Sequence, residues 1–260
     1  IEFKGNTFTK DKVIRREMLL REGDRFSLAL FKDSILRMSQ LGLIEPVGEP
    51  EVKPNPEDPN KMDIIMNVTE LQRNNIQFSA GYSGYEGTFV ALSYSTVNFL
   101  GAGEKLQLSL QHGKRIKNYM FGFSEPYFLD YPVSLGFNVY NRRIIYPFLF
   151  DQSAKGINFT TGGRVKGYWR TNITYAYEYI DIKAEEGSYY YNYQGGYAVS
   201  SITPLIYRST INSPLTPTRG SSYMVSTKFA GGFLGGEMSF IKPRFDWKTF
   251  HPLVLNHVVG

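Results

Sequence analysis

The 260-residue chain has no cysteine, so it can form neither a disulfide nor a thiolate metal site. It also has no uncharged apolar run of the roughly 18 residues that a membrane-spanning helix needs. That excludes a helical membrane protein but not a membrane barrel, whose strands need only about 9–11 tilted residues, half of them polar. Histidine is scarce: His112, His251 and His257 stand apart, none at metal-ligand spacing with a second ligand. No G-x-S-x-G or Walker A run is present, "GTFVALSYS" is not a nucleophile elbow, and Glu185–Glu186 reads most simply as a solvated loop pair. An enzyme is therefore not expected, and neither is a catalytic residue, a metal or a cofactor. The net charge of +5 is scattered without an Arg/Lys stripe, which argues against nucleic acid as a partner. No leader segment is visible: Ile1 opens directly into a strand-like run, so the chain is expected to be a piece of a longer precursor.

What is abundant is Tyr (19), Phe (19) and Gly (25). These residues suit strands, tight turns and the aromatic girdles of a membrane barrel, but also a soluble sandwich with Tyr-rich binding loops. A mean hydropathy of −0.28 does not separate the two.

The chain changes character near Leu71. Before it, "IEFKGN" reads as a short strand. Thr9 is placed to cap a helix from Lys10 to about Arg21, closed by Gly23, and Ser27 to cap a second helix with an apolar face at Leu28, Phe31, Ile35, Leu36, Met38 and Leu41, stopped by Gly42. "LIEPVGEPEVKP" reads as an edge strand because its prolines cannot donate to a ladder, and "KMDIIMNVTE" as the returning strand. The order is β-α-α-β-β.

After Leu71 alternation takes over. Ile76, Phe78, Ala80 and Tyr82 alternate with Gln77, Ser79, Gly81 and Ser83; Val133, Leu135, Phe137 and Val139 alternate with Ser134, Gly136, Asn138 and Tyr140. In "GEKLQLSLQH", Leu106, Leu108 and Leu110 alternate with Gln107, Ser109 and Gln111. About eleven such segments are expected. Phase slips near Tyr179–Ile182 and Val97–Phe99 read as strand ends or bulges, and Ile144–Lys155 and Lys183–Gln194 as long loops on one rim opposite short turns on the other. The polar positions are mostly Ser, Asn, Gln, Gly and Thr with few charges. A sandwich face in bulk water would carry more Lys and Glu, so the pattern favours a barrel whose leucines face lipid and whose polar set lines a lumen.

Several runs, in order, resemble the BamA family of outer-membrane insertases. "IEFKGNTFTKDKVIRREMLLREGDRFS", "RMSQLGLIEPV" and "MDIIMNVTE" are similar to that family's last POTRA domain. "VNFLGAGEKL" resembles its N-x-x-G-x-G turn, "SEPYFLDYPVSLG" its [NE]-P-Y-F run, and "SPLTPTRGSSY" its P-T-x-G-x-x run. The family's barrel has sixteen strands and a late Val-Arg-Gly-Phe loop; nothing close to that loop follows Gly220, so the barrel is expected to be incomplete. The resemblance implies an α+β POTRA domain at 1–72 and the first eleven or so strands of an antiparallel transmembrane β-barrel at 73–260. It places the chain in the bacterial outer membrane with its N-terminal domain in the periplasm.

The resemblance also implies assembly of outer-membrane β-barrel proteins, with a related POTRA–barrel secretion pore of the two-partner type as the alternative. A porin-like channel would have no POTRA-like domain. Strand Ile76, Gln77, Phe78, Ser79, Ala80, Gly81, Tyr82 and Ser83 would be the lateral gate, a seam on which an incoming strand is templated. Glu22, with Arg15 and Arg16, would dock a periplasmic lipoprotein, and the POTRA edge strand at Leu43, Ile44 and Val47 could pair with an extended peptide. Gly101 and Gly103 read as a tight turn in preference to a contact site. Glu125, Pro126, Tyr127 and Phe128 read as a strand end at the membrane interface, and Pro217 to Gly220 as a turn. The implied partners are outer-membrane lipids, assembly-complex lipoproteins and unfolded outer-membrane proteins.

Overall fold

The computed structural model describes residues 1–260 except 47–48, 85, 185, 212–216, 253–257 and 260. Two compact units form, one from residues 1–76 with 94–106, the other from residues 77–93 with 107–260.

The first unit contains β1 (Glu2–Lys4), α1 (Asp11–Arg15), α2 (Leu28–Gln40), β2 (Ile44–Pro46), β3 (Glu51–Pro54) and β4 (Met62–Glu70). β4 is central, parallel to β1 and antiparallel to β2 and β3. Its alternation buries Ile64, Met66 and Val68 against Val13 and Ile14 of α1, Phe31 and Met38 of α2, and Leu43 and Ile44. Val97, from far along the chain, packs against the same core.

The first helix differs from expectation. It covers only Asp11–Arg15, and Lys10 rather than Thr9 is its N-cap residue. The helix ends because its next main-chain groups have other partners: Glu17 and Met18 donate three residues back, and Leu19 N donates to Ser34 Oγ at 2.8 Å. Gly23 then lies outside the helix. The second helix follows its pattern. Ser27 Oγ accepts from Leu30 N, and Gly42 just beyond the end adopts φ +67°.

Among the described residues eleven strands form the second sheet, each beside its neighbours in sequence: β5 (Asn74–Ser83), β6 (Gly87–Phe99), β7 (Glu104–Gly113), β8 (Ile116–Glu125), β9 (Val133–Tyr146), β10 (Phe150–Lys166), β11 (Trp169–Ala184), β12 (Gly195–Ser209), β13 (Gly220–Ala230), β14 (Phe240–Pro252) and β15 (Val258–Val259). The pairs with assigned register from β8 to β15 are all antiparallel.

Register shows how the faces divide. One cross-strand row runs Phe123, Phe137, Phe159, Tyr175, Ile202, Phe229, Ile241 over seven strands. The adjacent row, on the opposite face, runs Gly122, Asn138, Asn158, Ala176, Ser201, Ala230, Phe240. The first face is apolar and exposed. The second carries side-chain hydrogen bonds between Asn138 and Asn158 (2.9 Å) and between Thr160 and Thr174 (2.9 Å), and the Arg142–Glu178 ion pair (2.7 Å). Leu108 and Leu110 of β7 line a groove with Phe121, Val139 and Ile157, on the apolar face. Among the described residues of this face, Phe159, Tyr175, Phe229 and Ile241 are exposed. An alternating sheet with a bare apolar side excludes the sandwich.

Two loop expectations are corrected. The stretch 144–155 is mostly strand, since β9 and β10 are joined by residues 147–149 and braced by Arg143 on Asp151 (2.9 Å). β11 continues through 179–182 in unbroken register to Ala184. Long connections therefore occur on both rims, at 126–132 and 210–219 as well as at 185–194. One of them, 231–239, folds back along the tip of β12: Glu237 N donates to Ala198 O (2.7 Å), and Ala198 N donates to Glu237 Oε2 (2.8 Å).

A charge on the apolar face should be costly. Val139→Arg is expected to lower unfolding stability in lipid by about 2–4 kcal/mol. Met224→Lys, on the polar face opposite Asp246, should cost far less; urea titration of the liposome-folded protein measures both.

Candidate functional site

β5 is an edge strand: among the described residues its only sheet neighbour is β6. Its side chains from Asn74 to Tyr82 are exposed, with Ile76 at 72%, Phe78 at 72% and Tyr82 at 77%. An edge strand presents a row of unpaired N–H and C=O groups that a further strand can satisfy. Packing hardly restrains it. At Gly81 the Phe89 ring lies against the position a Cβ would take, at 3.2 Å. At the end of the strand Ser83 Oγ accepts from Glu86 N (2.8 Å), and just beyond it Gly84 O accepts from Arg115 Nη1 (2.7 Å).

The root of β5 is built differently. Glu70, the last residue of β4, accepts main-chain hydrogen bonds from Phe8 (3.1 Å) and Thr9 (2.6 Å), one from Thr7 Oγ1 (3.0 Å), and pairs with Arg73 (3.4 Å). The Arg73 guanidinium stacks 3.7 Å over the Phe8 ring. Asn98, 1% exposed, donates through Nδ2 to Thr9 Oγ1 (2.8 Å) and accepts at Oδ1 from Gly103 N (2.8 Å). Lys10 N donates to Gly101 O (2.9 Å). Segment 7–10, the end of β4 and the turn between β6 and β7 are thus one hydrogen-bonded cluster within the first unit.

Gly101 and Gly103 are turn residues as expected, with φ +74° and +82°. They are also contact residues, which the sequence reading had set aside. A Cβ at Gly101 would run into Phe8 O, and one at Gly103 would lie 2.7 Å from Arg16 Nη2 and 3.2 Å from Val13.

Arg15 and Glu22 are brought together as an ion pair, and Asp11 at 2.7 Å joins Arg15. The hydrogen bond that Arg15 donates to Asp11, opposed by slight burial and aided by both carboxylates, raises the Arg15 pKa. Arg16 is not part of that group; it lies against Gly103. Leu43 and Ile44 are core residues at 3% and 0% exposure, and Val47 lies outside the described residues. β8 ends at Glu125; Pro126 and Tyr127 follow, and Phe128 opens a short helical turn and is 43% exposed. Pro217 lies between strands, and Gly220 starts β13 at φ +109°. Sequence reading missed Glu70, Thr9 and Asn98. The spacing Asn98-x-x-Gly101-x-Gly103 was the available signal for the last. Among the described residues no group of three His, Asp or Glu converges as metal ligands.

Burial resists ionisation of Glu70, but hydrogen bonds from Thr9, Thr7 and Phe8 outweigh it and hold the carboxyl below its ordinary value of 4.5. A depressed carboxyl contributes stability above its unfolded-state pKa and loses it as pH falls through the folded-state value. Glu70→Gln should destabilise the first unit by about 2 kcal/mol at neutral pH. The gap to wild type should narrow as the pH drops below 4.5, and urea midpoints taken across that range test both signs.

Residues 1–71 match a family model described as surface antigen variable number repeat, POTRA, and residues 98–260 match the Omp85 superfamily domain. The outer membrane protein assembly factor BamA of Nitratidesulfovibrio vulgaris is 26% identical over 260 residues, covering 98% of this chain and 32% of that protein. The solved BamA of Haemophilus ducreyi lacking POTRA domains 1–3 superposes with a TM-score of 0.71 at 23% identity, over 98% of this chain and 51% of that one. CdiB of Acinetobacter baumannii gives 0.60 at 14% identity, over 99% and 49%. This chain spans between 17% and 57% of the length of these curated relatives, which include sorting and assembly machinery component 50 homologues. A POTRA segment leads into an Omp85 segment that begins at Asn98 itself, and the sheet it forms is apolar on one side and polar on the other. The chain therefore belongs to the Omp85 superfamily, as an outer-membrane protein whose N-terminal POTRA domain is periplasmic.

Proposed function

We propose that the protein to which this chain belongs inserts β-barrel proteins into the outer membrane, and that β5 is the template on which an incoming strand pairs. The observation that carries this reading is the edge strand itself, exposed from Asn74 to Tyr82 and paired on one side only among the described residues. A strand entering hydrocarbon must satisfy every N–H and C=O, and an edge strand offers it a full set of partners. Pairing and burial of lipid-facing side chains supply the driving force, so no nucleotide or metal is required.

The division of labour falls near residue 72. Residues 1–72 form the periplasmic docking domain, and 73–260 the membrane part in contact with outer-membrane lipid. The charged corner of Asp11, Arg15 and Glu22 suits a polar partner surface such as that of a periplasmic lipoprotein. The outer edge of β2 and β3 suits an extended peptide, with Pro46 and Pro54 limiting the length available.

The CdiB likeness favours a second reading, a pore that exports a polypeptide through its lumen. Full-length protein in liposomes separates the two. Tethering Phe78 or Ala80 to the strand that closes the seam should reduce insertion of a barrel substrate at least tenfold. Unchanged insertion would sink the template mechanism, and a substrate-gated conductance that survives the tether would favour the pore.

A further inference from the structure

The link between β4 and β5, residues 71–73, is held at many points. Leu71 N donates to Leu43 O (2.9 Å), and Arg73 O accepts from Val97 N (3.3 Å). The Arg73 guanidinium is fixed between Phe8 and Glu70, and Tyr94 Oη donates to Asn74 Oδ1 (3.2 Å). Behind these contacts the chain Asn98–Thr9–Glu70 ties the β6–β7 turn to the end of β4. Such a dense polar cluster at one end of a strand contrasts with the bare stretch that follows.

That contrast matters because strand register is normally specified by burying one face, and a strand that is Gly-containing and exposed on both faces is prone to slip. From Ile76 to Tyr82 both faces of β5 are exposed. Nothing along the strand fixes which residue meets which in an added strand. The specification has to come from an end.

We infer that the Asn98 cluster sets register: it fixes the start of β5 against β6 so that β5 presents one pairing register to an incoming strand. Asn98 is a positioning residue that acts through Thr9 and Glu70. Its amide is suited to this task because it uses its donor and its acceptor in opposite directions, one toward residue 9 and one toward residue 103. A slip of β5 relative to β6 would move in steps of two residues to keep the faces, about 6.6 Å, and would break the Arg73–Val97 hydrogen bond. The inference rests on the template reading above.

The test uses full-length protein in liposomes. This chain has no cysteine, so with any cysteine elsewhere in the full-length protein changed to serine, Ser79→Cys supplies the single thiol. A barrel substrate carries a cysteine scanned along its terminal strand, and disulfide yield is read at each position. The unaltered clamp should give one dominant partner position. Asn98→Ala should spread the yield to positions two residues on either side, whereas Thr9→Ser, which keeps the hydroxyl beside an intact Asn98, should retain the single position. In protein without substrate, amide exchange at Lys10, Val97 and Gly103 should rise at least tenfold in Asn98→Ala while Leu135–Val139 stay unchanged. Asn98→Asp keeps the acceptor for Gly103 but loses the donor to Thr9, and gives an intermediate spread; it decides the matter if the alanine variant does not assemble. A single position retained in both Asn98 variants, or unchanged exchange at the three amides, overturns the inference. If the thiol at residue 79 captures no substrate position even with the clamp intact, the template reading fails and the register role falls with it, whatever the exchange shows.

Discussion

Hydrocarbon offers no water to an unpaired N–H or C=O, and each such group costs several kcal/mol there. That constraint orders most of what is seen from Asn74 onward. It makes every strand pair with its sequence neighbour, and it lets side chains alternate freely, because the backbone is satisfied whatever they are. The apolar row from Phe123 to Ile241 and the polar row from Gly122 to Phe240 are two outcomes of one pleat. It also gives the edge of β5 its meaning. In water an exposed edge is a modest liability, whereas beside lipid it is a strong attractor for any strand that can complete it.

The first unit obeys different physics. Its core is an ordinary apolar one around Ile14, Met38 and Ile44, each at 0% exposure. Yet the part of it nearest the root of β5 is polar and almost fully satisfied, around one carboxylate and one amide. Apolar contacts tolerate small sliding motions, while a set of directed hydrogen bonds has one geometry. The polar cluster of the first unit therefore has one defined geometry.

Much of this was legible in the sequence. Alternation at Val133–Tyr140 identified both faces of β9, and Leu106–Leu110 could be assigned to lipid once the POTRA-like segment and its family resemblance were considered together. The failures have physical causes. Thr9 has the side chain of an N-cap, but its hydroxyl is taken by Asn98, 89 residues on, and no local pattern reports such a partner. The helical spacing through Arg21 was cut short by Ser34 capturing the Leu19 amide, another non-local event. Asp151, within the expected loop, instead pairs across strands with Arg143, inside the extended β9 and β10. The glycines of the β6–β7 turn were assigned correctly in backbone terms, but a glycine does not show whether its missing Cβ makes room for a turn or for a neighbour. Here it does both.

The returning segment at 231–239 bears on how the molecule keeps to itself. By giving Ala198 both a main-chain donor and a side-chain acceptor, Glu237 stands in for one residue of a neighbouring strand at the tip of β12. A carboxylate in that role cannot propagate a ladder, since it offers no next residue for a newcomer to continue. The main-chain N–H and C=O of Ala198 at that tip are thereby satisfied from within the chain.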